Sequence, residues 1–213
     1  MEKETSGSLL SKLKAAREKY LPYNEKTLRR FIVAALIMYV WLLIWALVFK
    51  LGNEVILRNL YTNLKDMTLK ERVLWDLKPF NYRGPAEARR TVIMDTILNC
   101  FVLIPVGVFL CYLFKKPNVL RDAAICLGFT ICIELLQFAT MLGNPATEDL
   151  ITNLVGYFIG FGLYMLLFRR LSVKHTINIA IAVNIIFAVI VVYSFISTAR
   201  AYDLIYQLVT HRI

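Results

Sequence analysis

The sequence predicts an all-α, polytopic integral membrane bundle of about five transmembrane helices with interfacial amphipathic helices, and three observations carry that reading. Hydrophobic residues make up 58% of the 213 positions and the mean hydropathy is +0.58, too apolar for an ordinary soluble domain. Several apolar runs reach the ~20 residues that a helix needs to cross a bilayer's hydrocarbon core. Basic residues fence these runs: Arg29 and Arg30 precede the first, Lys115 and Lys116 close the second, and Arg169 and Arg170 close the fourth.

Residues 1–30 form a polar, basic N-terminal segment, with Leu9, Leu10, Leu13, Tyr20 and Leu21 at the spacing of a short amphipathic helix. The membrane domain then occupies residues 31–196, with spans at about 31–49, 91–114, 123–142, 150–168 and 176–196. In the first span, Trp41 and Trp45 are four apart and share a face suited to packing or lipid contact. Residues 50–91 make a long loop, in which Ile56, Leu60, Leu64 and Met67 predict a helix lying along the membrane surface. Thr68 and Glu71 fit a capping box and a fresh helix start. Pro79 biases Lys78 towards extended backbone, so Trp75 to Phe80 should be a pinned turn.

The second span carries Asp95 and Asn99 near its start, and Pro105 with Gly107 should kink it. Gly143, Asn144 and Pro145 break the chain between the third and fourth spans. The fifth span is apolar apart from Asn178 and Asn184, and residues 197–213 form an amphipathic tail. Cys100, Cys111, Cys126 and Cys132 all lie in apolar segments and read as buried small hydrophobes. There is no C-x-x-C and only two histidines, so no metal site and no cofactor are expected.

Basic residues orient the bundle. With the N-terminus in the cytoplasm, the short inner loops 115–122 and 169–175 each carry three Lys or Arg. The short outer loop 143–149 carries none. The long 50–91 loop breaks the pattern with nine on the outer face: either the orientation is reversed or those charges have an anionic partner there, and the second is favoured. The net charge of +10 could also suggest nucleic acid, but no basic motif is interleaved with aromatics, and no nucleic-acid partner is expected.

Polar residues on three spans fall at one depth. At ~1.5 Å per residue, Asp95 and Asn99 lie roughly 5–12 Å below the outer end of span two. Glu134 and Gln137 lie roughly 8–12 Å below that of span three, and Asp149 and Asn153 sit at the rim of span four and one turn deeper. A charge in hydrocarbon costs at least ~2.5–3.5 kcal/mol, so these groups should face one another or water. Intramembrane amides often serve only as interhelical glue worth ~0.6 kcal/mol, and Gln137 and Asn184 fit that role. Asp149, Asn153, Gly156 and Gly160 draw one helical face, whose G-x-x-x-G pair admits a close helix neighbour.

These residues resemble the VanZ-like family, named for a teicoplanin-resistance determinant. The family pattern appears here as Leu77-Lys78-Pro79-Phe80, Asn99 with Pro105 and Gly107, Glu134 with Gln137, and Asp149 with Asn153 and Gly156. The match covers about Trp75 to Phe168. The family turn often carries an Arg six residues before the Asp and an acid three before it, where this chain has Gly143 and Ala146. Any role for that Arg would fall to Arg83, Arg89 or Arg90.

The resemblance implies a multi-pass protein of a Gram-positive cell membrane that lowers susceptibility to lipoglycopeptide antibiotics. Two physical readings compete beneath it. In the first, the protein is a non-catalytic binder of an anionic envelope lipid or lipid-linked polymer. Lys78, Arg83, Arg89 and Arg90, beside Trp75 and Phe80, would hold phosphate through charge-assisted hydrogen bonds, and the polar ring would receive the head group. In the second, Glu134 and Asp149 act as an intramembrane acid and base on a lipid-linked substrate. A small transporter is a further alternative, which five spans without inverted repeats disfavour.

Overall fold

The computed structural model describes residues 22–49, 78–80, 86–114, 116–140 and 145–210, with isolated positions 11, 12, 16, 51, 53, 55 and 62. At 86–92, 95, 201–202, 204–205 and 208–209 it describes backbone alone. Among the described residues there are five long helices: α1 (Glu25–Leu47), α2 (Ala86–Leu113), α3 (Val119–Ala139), α4 (Thr147–Leu166) and α5 (Val173–Thr210). A single 3-10 turn, Phe168–Arg170, links α4 to α5. No strand occurs among the described residues.

Among the described residues, four stretches are long and apolar enough to cross a membrane: Glu25–Leu47, Thr96–Leu113, Thr147–Arg170 and Val173–Arg200. The remaining helix, α3, has 21 residues and buries Asp122, Glu134 and Gln137.

Local chemistry sets the helix ends. Asn24 accepts the Thr27 N–H at 2.9 Å and starts α1. Asn118 accepts from Leu120 and Arg121 at 3.1 Å each and starts α3. Beside that cap, the fully buried Asp122 pairs with Arg121 at 2.7 Å, and the guanidinium lies 3.7 Å from the Phe114 ring centroid.

Three boundaries differ from those expected. Helix α2 is already formed at Ala86 rather than from near residue 91, so Arg89 and Arg90 belong to the helix and not to a loop. Helix α4 begins at Thr147, two residues after Pro145, which places Glu148 and Asp149 in its first turn. Helix α5 runs unbroken to Thr210, because 197–210 contains no Gly or Pro to end it. The amphipathic tail is therefore the end of the fifth helix, not a separate element. The surface helix over 56–67 and the capping box at Thr68 and Glu71 lie outside the described residues.

The most extensive contact is between α2 and α4, followed by α1 with α5 and α3 with α4. Helices α2 and α4 run parallel, with Thr96 bonded to Glu148 at one end and Tyr112 to the Phe168 carbonyl at the other. A Cβ placed on Gly156 would land on the Cys100 carbonyl oxygen, and one on Gly160 would land on that of Ile104. Gly107 of α2 returns the fit, its missing Cβ occupied by the Tyr157 carbonyl. The G-x-x-x-G seam thus sets how closely these helices approach. Around it pack Leu43, Leu103, Val106, Leu110, Cys126 and Tyr157.

Helix α5 lies at the periphery against α1. Trp41 donates to Ser194 Oγ at 2.6 Å and stacks on Phe195 at 4.5 Å. Asn184 donates to the Phe31 carbonyl at 3.0 Å, as interhelical glue would. The reading of the cysteines holds for Cys111 and Cys126, which are buried. Cys132 is exposed instead, because its position on α3 faces away from α4 and the bundle.

Candidate functional site

Alternating helix direction brings four helix ends to one level: the end of α1, the N-terminal half of α2, the end of α3 and the start of α4. Each contributes a polar group. Asn99 Nδ2 donates to Asp149 Oδ1 at 2.5 Å, joining α2 to α4. The Thr96 hydroxyl donates to Glu148 Oε1, one helical turn nearer the membrane edge. Glu148 Oε2 accepts the backbone N–H of Phe80 at 2.9 Å. The turn at Lys78 to Phe80 is therefore pinned, as expected, and its pin is a carboxylate of α4.

Phe80 carries a φ of 58°, a left-handed conformation that costs a non-glycine residue of order 1–3 kcal/mol unless its surroundings hold it. Glu148 is one such hold. Lys78 and Phe80 are both exposed, on the outward side of the ring.

Helix α3 supplies Glu134 and Gln137, which are 3% and 7% exposed. Helix α4 has no capping side chain at its N-cap, Ala146, and Glu134 Oε2 accepts the Ala146 N–H at 3.2 Å. That bond ties the α3–α4 turn across the ring. Gln137 Nε2 donates to the Leu47 carbonyl at 2.7 Å, satisfying an acceptor that the end of α1 leaves open.

Below these pairs lies Asn153 on α4, 3% exposed. Its Oδ1 is buried without a hydrogen-bond partner among the described residues. Burying an unpaired amide oxygen costs about 1–3 kcal/mol, a cost that Trp45 Nε1 and Thr198 Oγ1 share among the described residues.

The structure thus brings Asn99, Glu134, Gln137, Asp149 and Asn153 to one end of the bundle, with Gly156 and Gly160 in the seam beneath. Asp95, Arg89 and Arg90 lie on α2 with backbone alone described, and Trp75 and Arg83 lie outside the described residues. Two contributors escaped the sequence reading, Glu148 and Thr96. Glu148 neighbours Asp149 but is turned by about 100° around the helix, so the periodic face through Asp149 passed it by. Among the described residues, no group of three His, Cys, Asp or Glu could hold a metal ion.

The chemistry of the ring is that of acceptors. Three carboxylates hold backbone N–H groups, a hydroxyl and an amide, and the Asn153 amide oxygen lies below them.

Comparison with known proteins follows the same residues. Residues 33–169 match the VanZ/LLP1 family. Protein VanZ of Enterococcus faecium is 30% identical over 165 residues, covering 78% of this chain and 91% of that protein. No solved structure matches.

Proposed function

The chain belongs to the VanZ/LLP1 family, and from that footing we propose that it lowers susceptibility to lipoglycopeptide antibiotics such as teicoplanin by binding an anionic lipid or lipid-linked polymer of the cell envelope. The ring faces the outer surface of the cell membrane, and the N-terminus lies in the cytoplasm.

One observation carries this reading: the buried, unpartnered Asn153 oxygen beneath a ring whose three carboxylates each hold a donor of the fold. A ring of acceptors does not hold phosphate by itself. It suits the donor groups of a head group, hydroxyl or amide N–H, while phosphate takes the cations of the loop above. Lys78 belongs to the turn that Glu148 pins over the ring. Arg83 follows in the sequence, and Arg89 and Arg90 lie near the start of α2; Arg suits phosphate through two parallel hydrogen bonds. Glu134, Glu148 and Asp149 act in this reading as fixed anchors that shape the pocket, so binding rather than acid–base turnover is the function assigned.

The test is antibiotic susceptibility in a Gram-positive host. Asp149→Ala should lose protection while its membrane abundance stays near that of the wild type. Full protection by Asp149→Ala at equal abundance would overturn the assignment.

A further inference from the structure

At the end of the bundle opposite the ring, the start of α1, the end of α2, the 3-10 turn and the start of α5 enclose an open cleft of about 1120 Å³. Its rim carries Lys26, Arg29 and Arg30 on α1 and Arg169 on the 3-10 turn, all exposed. Glu25 stands beside them in the first turn of α1, where its charge complements the helix N-terminus. None of the four cations makes an ion pair among the described residues, where Arg121–Asp122 is the pair that forms.

Beyond the rim the wall turns apolar, lined by Val33, Ala34 and Ile37 of α1 and by Leu113 and Phe114 of α2. Ile37 is 66% exposed, so the wall opens sideways to the bundle's outer face. It stands roughly 10 Å along the helix axis from Arg30, at ~1.5 Å per residue.

Charge at one end and a lateral apolar wall at the other describe an amphiphile. A soluble anion would leave the wall unfilled, and a neutral lipid would leave four like charges repelling one another. We infer that this cleft binds one anionic phospholipid from the leaflet where α1 begins. The phosphate lies among Lys26, Arg29, Arg30 and Arg169, and an acyl chain runs along Val33, Ala34 and Ile37. The site is separate from the ring and stands whether or not the ring binds envelope lipid.

Purified full-length protein, taken from bilayers of phosphatidylglycerol and phosphatidylcholine in equal parts, tests this by native mass spectrometry. The expected result is one retained phosphatidylglycerol per chain. Arg30→Gln with Arg169→Gln should weaken retention roughly tenfold or more, as loss of charged hydrogen bonds implies. Lys116→Gln with Arg170→Gln removes the same charge at the same end but outside the cleft, and should leave retention unchanged. Equal loss in both pairs would mean diffuse attraction to the membrane surface and would overturn the site.

Ala34→Phe fills the apolar wall without altering charge and should also lose the lipid; unchanged retention would overturn the proposal. If a variant fails to fold, wild-type selectivity decides, since equal retention of phosphatidylcholine contradicts the site. Displacement by millimolar inorganic phosphate would reassign it to a free anion. A lipid-free dimer that Ala34→Phe dissociates would hand the cleft to a second copy of the chain.

Discussion

Gly156→Ala adds one methyl group where the structure has no room for it. The new carbon would land on the Cys100 carbonyl oxygen, with Leu103 Cβ at 3.2 Å. Ordinary contact begins at 3.4 Å, so α2 and α4 must part locally by roughly 1 Å. Overpacking of this kind costs ~1–3 kcal/mol, and replacing a helical Gly with Ala returns ~0.5–1 kcal/mol. Because the obstructing atom is backbone and cannot swing away, the upper part of the resulting range applies, a net loss of ~1–2 kcal/mol or a factor of ~5–30 in the folded-to-unfolded ratio.

The same movement should stretch Asn99–Asp149 and Thr96–Glu148, which lie about two helical turns away. Gly128→Ala on α3 is the control, because nothing lies within 4 Å of its missing Cβ. It should be neutral or stabilising by up to ~1 kcal/mol. Unfolding of both variants in detergent micelles, beside the wild type, measures the difference. Equal stability of Gly156→Ala and wild type would refute the claim that this seam fixes the helix pair and the ring above it.

Other predictions rest on the ring and on orientation. In a variant lacking the four native cysteines, Thr147→Cys should react with an impermeant thiol reagent on intact cells and Lys116→Cys should not; the opposite pattern would place the ring in the cytoplasm. Glu148→Ala removes the acceptor of the Phe80 N–H, so hydrogen exchange at Phe80 should accelerate with little change in the α4 interior. Unchanged protection at Phe80 would mean that the turn is held by something else. Glu134→Gln keeps an acceptor for the Ala146 N–H and should be mild, whereas Glu134→Ala should abolish antibiotic protection at normal membrane abundance. A collapse in abundance would assign Glu134 to structure alone.

Among the described residues the five long helices were legible because apolar runs are separated by charge pairs and by Gly143-Asn144-Pro145. The end of α5 was not, because hydropathy falls at the membrane edge while the helix continues until something breaks it, and Ser197 to Thr210 has no breaker. Asn99, Glu134 and Asp149 stood out as polar residues in apolar company, and arithmetic along the helix axis put them at one level. Their partners could not be read in the same way. The Leu47 carbonyl and the N–H groups of Ala146 and Phe80 are backbone, which every residue carries. Glu148 is a side chain, but its place was hidden by counting helical periods through its neighbour. The cleft at the other end draws on α1, α2, the 3-10 turn and α5, and no sequence period links those segments.

The central claim is that the ring and the loop above it bind an anionic envelope component, with Asn153 supplying the acceptor that waits for it. A labelled, soluble oligomer of glycerol phosphate tests this most directly, since it has no acyl chain to enter the opposite cleft. Its binding to purified protein is measured against salt in an Arg30→Gln, Arg169→Gln background. Exposed charges act through a field screened over ~8 Å at physiological ionic strength, so affinity should fall as salt rises and leave a salt-resistant remainder. Arg89→Gln with Arg90→Gln should flatten the salt dependence. Asn153→Leu should remove the remainder without lowering stability, because the oxygen it deletes has no partner in the fold. Binding no tighter than that of a neutral glycerol oligomer at low salt would contradict the account.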